Sequence, residues 1–256
     1  MTERAVYIGG LAVFAAAAAL TVYFQVAMGG GGMEMPGGWT MSMMWMVMPG
    51  QTWLTAALVF TVMWLAMMVA MMLPSVLPML LLYRRVATSR NDRHVGRALW
   101  LLGGGYFFVW VGFGIVAYAG GMGLSFAAMH SRTISHVIPI ASACALVASG
   151  AYQLTPWKSA CLRHCRDPMG LVAGHIGAGA RAALRFGLHH GVFCAGCCWA
   201  LMVMQLVLGV MSIGIMIAVA AVIALEKLIA RGLLIARVTG VAAIVAGAWM
   251  LVGALR

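Results

Sequence analysis

At 256 residues, 64% of them hydrophobic and only 8% charged, with a mean hydropathy of +1.01, the chain is too apolar for a water-soluble globule. Such a globule carries charge on about a quarter of its residues. The formal charge of +11 comes from basic residues that flank apolar stretches without forming a continuous stripe, which argues against nucleic acid and for anionic lipid as the partner.

Apolar windows at 5–28, 52–82, 98–120, 134–155, 187–208, 211–228 and 235–255 predict seven membrane spans of about 20 residues each. The fold class is therefore all-α, a polytopic transmembrane helix bundle forming a single membrane domain over 1–256. Its parts are a first span (5–28), an outer linker (29–51) and a six-span core (52–256). Arg4 before an alanine-rich run resembles a signal peptide, but the run outlasts a usual signal core, so the first span is expected to be retained.

The linker runs from Gly29 to Gly32 into Met33, Met35, Met41, Met43, Met44, Met46 and Met48. Thioethers are soft and uncharged and form no disulfides in an oxidising space, so they suit Cu(I). Met43 and Met44 are the residues taken here as metal ligands. Span two repeats the pattern with Met63, Met67 and Met71 at intervals of four, of which Met67 and Met71 are taken as ligands. Pro74 and Pro78 should interrupt the helical hydrogen-bond ladder there. Methionine is also an ordinary gap-filler of apolar cores, and that reading stands beside the metal one.

Basic residues orient the spans. Arg84, Arg85, Arg90, Arg93 and Arg97 follow span two; Lys158, Arg163, Arg166, Arg181 and Arg185 follow span four; Lys227, Arg231 and Arg237 follow span six. With Arg4 they mark the cytoplasmic side and leave Arg132 and Arg256 opposite, so the N-terminus is inside. Gly103–Gly105 should permit close helix contact, and Gly120–Gly121 an outer turn. His130 and His136 would stand at the outer mouth.

Span five opens with His189, His190, Gly191, Val192, Phe193, Cys194, Ala195, Gly196, Cys197 and Cys198, two imidazoles and three thiols in an apolar helix. At about 100° per residue, Cys194, Cys197 and Cys198 fall within about 80° of His190, on one face. His189 points about 100° away. One helix seldom closes a tetrahedral site, so a neighbour is needed. Cys161 and Cys165, four apart between Lys158, Arg163 and Arg166, are the expected complement if their segment is helical. His164 between them reads as surface, Cys144 as a packing residue. On the reducing side of a membrane these thiols read as ligands and not as disulfides.

The five carboxylates, Glu3, Glu34, Asp92, Asp167 and Glu226, form no acid–base pair, and no phosphate-binding loop is present, so little points to an enzyme. Glu226 and Lys227 read as a local charge pair or interface anchor.

The runs from Trp64 to Ser75, from Gly150 to Pro168 and from Gly191 to Met202, closing with Glu226–Lys227, resemble DUF2182, a bacterial family described as predicted metal-binding integral membrane proteins. The resemblance covers about 52–230. It implies a metal without a mechanism, a bacterial inner-membrane setting, and attention to Cys161, Cys165, Cys194, Cys197 and Cys198.

The expectation is thus an inner-membrane protein handling Cu(I), with metal ligands Cys161, Cys165, His190, Cys194, Cys197 and Cys198 near the cytoplasmic face and methionines outside, for uptake or delivery. Zn also suits the Cys/His set. A membrane thiol–disulfide protein, with Cys194 and Cys197 as a CxxC pair, and an assembly factor for a copper membrane enzyme are the alternatives. Partners would be the bilayer, the metal ion, and a copper enzyme or metallochaperone.

Overall fold

The computed structural model describes residues 2–28, 32–47, 50–90, 94–167, 170 and 179–255. Gly29–Gly31, Met48, Asp92, Arg93, Pro168 and Arg256, named above, lie outside the described residues. Among the described residues there are eight α-helices: α1 (Glu3–Met28), α2 (Trp53–Ser89), α3 (Val95–His130), α4 (Arg132–Gln153), α5 (Pro156–Arg166), α6 (Ala180–Gly209), α7 (Ile213–Leu228) and α8 (Gly232–Ala254). The fold is an all-α bundle, and six of the helices, all but α5 and α7, are long and apolar enough to cross a membrane. Large side chains such as Trp100, Phe108, Val116 and Trp249 stand fully outward, as lipid-facing residues do.

The sixth expected span, 211–228, corresponds to α7, which has 16 residues. At 1.5 Å per residue that is about 24 Å, short of a hydrocarbon core of about 30 Å. Conversely, α2 and α3 have 37 and 36 residues and outrun the apolar windows that announced them. Gly120–Gly121 makes no outer turn. Both residues lie inside α3, and Gly121 instead makes room for the ring of Trp45.

At one end of the bundle, Glu3 pairs with Arg85 at 2.6 Å and Arg84 at 3.5 Å, so the start of α1 sits beside the end of α2. α2 is the central helix: Phe60, Met63, Trp64, Met67, Met68, Met71, Met72, Val76 and Met79 are all buried along it. It stays helical through Pro74 and Pro78. The Ser75 hydroxyl donates to Met72 O at 2.8 Å, a side-chain bond back to its own helix between the two prolines.

Two helix pairs are set by glycine. A Cβ on Gly191 of α6 would lie 3.0 Å from Tyr106 O and 2.9 Å from Val109 Cγ2 of α3, so only glycine lets these backbones approach as they do. In the α4–α8 pair, a Cβ on Gly150 would lie 2.6 Å from Gly240 O.

The glycine- and methionine-rich linker is ordered where it is described. Strands β1 (Gly32–Met35) and β2 (Trp39–Ser42) form an antiparallel hairpin in which Met33 opposes Met41 and Met35 opposes Trp39. Gly37 and Gly38 make the turn with φ of 105° and 73°. The hairpin is tied to the start of α4: Trp39 Nε1 donates to Ser135 O at 3.0 Å, and Ser135 Oγ donates to Pro36 O at 2.5 Å. Met35 and Met41 are buried against Ala128 and Ile138. A 3-10 turn, Met43–Trp45, then leads toward α2.

Candidate metal centre

The face expected on α6 exists, and it points inward. Cys194, Cys197 and Cys198 are completely buried, and their sulfurs all lie within 4.8 Å of one another. Cys197 Sγ is 3.3 Å from Cys198 Sγ, and its own thiol donates to Cys194 O at 3.2 Å. Among the described residues this is the group of ligand atoms compact enough for one ion.

The second cluster arrives on a helix. Thr155 caps α5 by accepting from Lys158 N at 3.2 Å, and Pro156 occupies the first turn, where a missing N–H costs nothing. Cys165 Sγ then stands 3.7 Å from Cys197 Sγ, a fourth sulfur at the corner of the triad. Cys161 packs beside Gly196, where an added Cβ would lie 3.4 Å from its sulfur. All six cysteines are free; Cys144, in α4, is exposed and so faces outward instead of packing between helices as expected, and it is not among the grouped sulfurs.

His190 is buried one turn before Cys194. Its ring stacks on Tyr106 at 5.6 Å, and its Nδ1 has no hydrogen-bond partner among the described residues. His164 differs from expectation. It is half-buried, with its ring 3.9 Å from Phe193 and 5.5 Å from His189, so the two imidazoles and Phe193 form an aromatic cluster between α5 and α6. Helical α5 turns His164 inward, where a loop would have left it in solvent. His130 Nδ1 donates to Phe126 O, 2.8 Å away, and neither it nor His136 joins the sulfur group.

Glu226 and Lys227 do not pair with each other. Adjacent positions on a helix diverge by about 100°, and each reaches a different part of the centre. Lys227 Nζ donates to Cys194 Sγ at 2.8 Å, and Tyr106 Oη lies 2.9 Å from the same sulfur. Glu226 Oε2 takes Lys158 Nζ at 2.6 Å, both side chains being shut off from solvent, and Lys158 also donates to Cys197 O at 2.5 Å. Of the three basic residues expected around Cys161 and Cys165, Lys158 alone reaches the thiols' surroundings. Arg163 is exposed, and Arg166 donates to Ala230 O at 3.0 Å.

Sequence reasoning overlooked Tyr106, and no local signal announced it: it lies 88 positions from the sulfur it meets. Lys227 was visible as a charge in an apolar run, which is by itself a mark of function.

Of the methionines, Met67 and Met71 are buried in the core, and Met44 lines a small hollow with Met46, Phe60 and Met63. Met43 is half-buried on the 3-10 turn. Gln205, buried on α6, donates its amide Nε2 to Met67 Sδ at 3.3 Å.

A family model described as a copper chaperone, PpoB2, matches residues 61–250. The chain belongs to this family. No curated protein and no solved structure matches it. The stretch matched to PpoB2 contains α5, α6, α7 and every sulfur of the triad, so copper handling and the buried thiols fall in one part of the chain. A buried group of thiols with no carboxylate among its grouped ligand atoms also fits a soft monovalent ion by its chemistry.

Proposed function

We propose that the protein is a multi-pass inner-membrane carrier that takes Cu(I) at its outer face and passes it, through buried thioethers, to a thiolate centre near the cytoplasmic face for delivery. The observation that carries this reading is the triad Cys194, Cys197 and Cys198, with Cys165 at its corner and a lysine ammonium on Cys194. A Cu(I) ion on two or more thiolates bears net negative charge, which is costly in a low-dielectric interior unless a cation stands beside it. Lys227 is that cation. Copper is the cargo here, and the thiols hold it in transit.

The outer half of the route rests on the methionines. Met44 and Met63 share one hollow, Met67 lies one turn further along α2, and Met71 one turn beyond that. The basic residues at the α2–α3 and α4–α6 connections support a cytoplasmic thiol end, by the bias of such residues toward that side.

Anaerobic loading of the purified protein with Cu(I) tests the core of this. Wild type is expected to retain copper through gel filtration, and the Cys194→Ser/Cys197→Ser/Cys198→Ser variant to lose it. Equal retention by both proteins would sink the proposal.

A thiol–disulfide reading draws on the 3.7 Å approach of Cys165 to Cys197. It predicts a disulfide after mild oxidation that bound Cu(I) does not prevent, which alkylation and mass analysis distinguish.

A further inference from the structure

Gln205 is an uncharged polar side chain, 1% exposed, in the apolar interior of a spanning helix. Its amide nitrogen donates to Met67 Sδ at 3.3 Å, and its carbonyl oxygen Oε1 has no partner among the described residues. A thioether is a weak acceptor, so this hydrogen bond is small compensation for burying a carboxamide. Packing alone is served better by leucine or methionine. The unpartnered carbonyl oxygen and the neighbouring thioether are two neutral donors suited to a soft cation.

The position of the pair gives it meaning. On α6, Cys198, Met202 and Gln205 follow one another at intervals of four and three, a single helical stripe. All three are buried. Seven residues separate Gln205 from Cys198, a rise of about 10 Å. α2 runs antiparallel alongside: Met67 meets Gln205 at one level, and Tyr83 stacks on Phe186 at 5.8 Å at the other. In that register Met71 lies at the level of Leu201 and Met202, between the pair and the thiols.

We infer that Gln205 Oε1 and Met67 Sδ form a second, weaker ion site, a relay for a dehydrated soft monovalent cation about 10 Å outward of the triad. The inference rests on the copper-carrying reading above. Both donors are neutral, so the site adds no charge of its own. It holds a monovalent ion loosely and offers a divalent ion too little to replace its water. Weak neutral donors placed before strong anionic ones make a downhill sequence, in which an ion is released inward.

Ag(I), a redox-inert substitute for Cu(I), is the probe. It is titrated calorimetrically into the full-length protein in detergent without competing thiols. Wild type should show a tight and a weak class of site. The triple Cys194→Ser/Cys197→Ser/Cys198→Ser variant should lose the tight class and keep the weak one. Gln205→Leu and Met67→Leu should each weaken the weak class about tenfold or more and leave the tight one unchanged. Gln205→Met, which supplies another soft donor in similar volume, should restore it and shows whether the position tolerates substitution. A weak class that is absent from wild type, or unmoved by both Gln205→Leu and Met67→Leu, overturns the relay. A missing tight class overturns the thiol centre instead, so the two failures are told apart.

Discussion

Lys227 and Cys194 meet across two helices at 2.8 Å, in a place where the buried thiol is shut off from water. Removing the ammonium should therefore act on the loaded state most, because a thiolate-bound Cu(I) centre carries the larger negative charge. Lys227→Leu is expected to weaken Cu(I) retention about tenfold in competition with a chelator, and Lys227→Arg to keep most of it. Unchanged or tighter binding in Lys227→Leu would contradict the role given to this cation. At this scale the sequence was informative for the thiols, since helical phase alone placed Cys194, Cys197 and Cys198 on one face. It was silent on Tyr106 and on the crossing of Lys158 to Glu226, because a contact 68 or 88 positions long has no periodicity to betray it.

Among the elements, α3 and α6 depend on one another through bare backbone. Gly191→Val would drive a side chain into Tyr106 O and Val109, force the helices apart and pull Tyr106 from Cys194. The expected cost is about 1–3 kcal/mol, seen as a lower midpoint of thermal unfolding in detergent. Gly103→Ala is the control: a Cβ at Gly103 meets nothing within 4 Å, so its midpoint should not fall. Equal effects of the two substitutions would remove the argument for close approach. Hydropathy located the helices well but set their lengths poorly. α2 continues past Leu82 through Tyr83, Arg84 and Arg85 because Glu3 and the packing of Tyr83 on Phe186 hold that end, and hydropathy records neither. The linker was legible as methionine-rich but not as a hairpin, since its order comes from Ser135, about a hundred positions away.

For the molecule as a whole, the arrangement of basic residues predicts an orientation in the membrane, and that orientation can be measured. In intact cells a membrane-impermeant maleimide should label Met33→Cys, an exposed position on β1, from outside. Thr88→Cys, exposed near the end of α2, should react only after the membrane is opened. The reverse pattern would invert the route. The eleven residues of α5 make a helix too short to persist alone in water. It exists while Lys158 holds Glu226 and Arg166 holds Ala230 O. Cys165 is thus a conditional donor: were α5 unseated, the three clustered sulfurs of α6 would remain together and the fourth would be withdrawn.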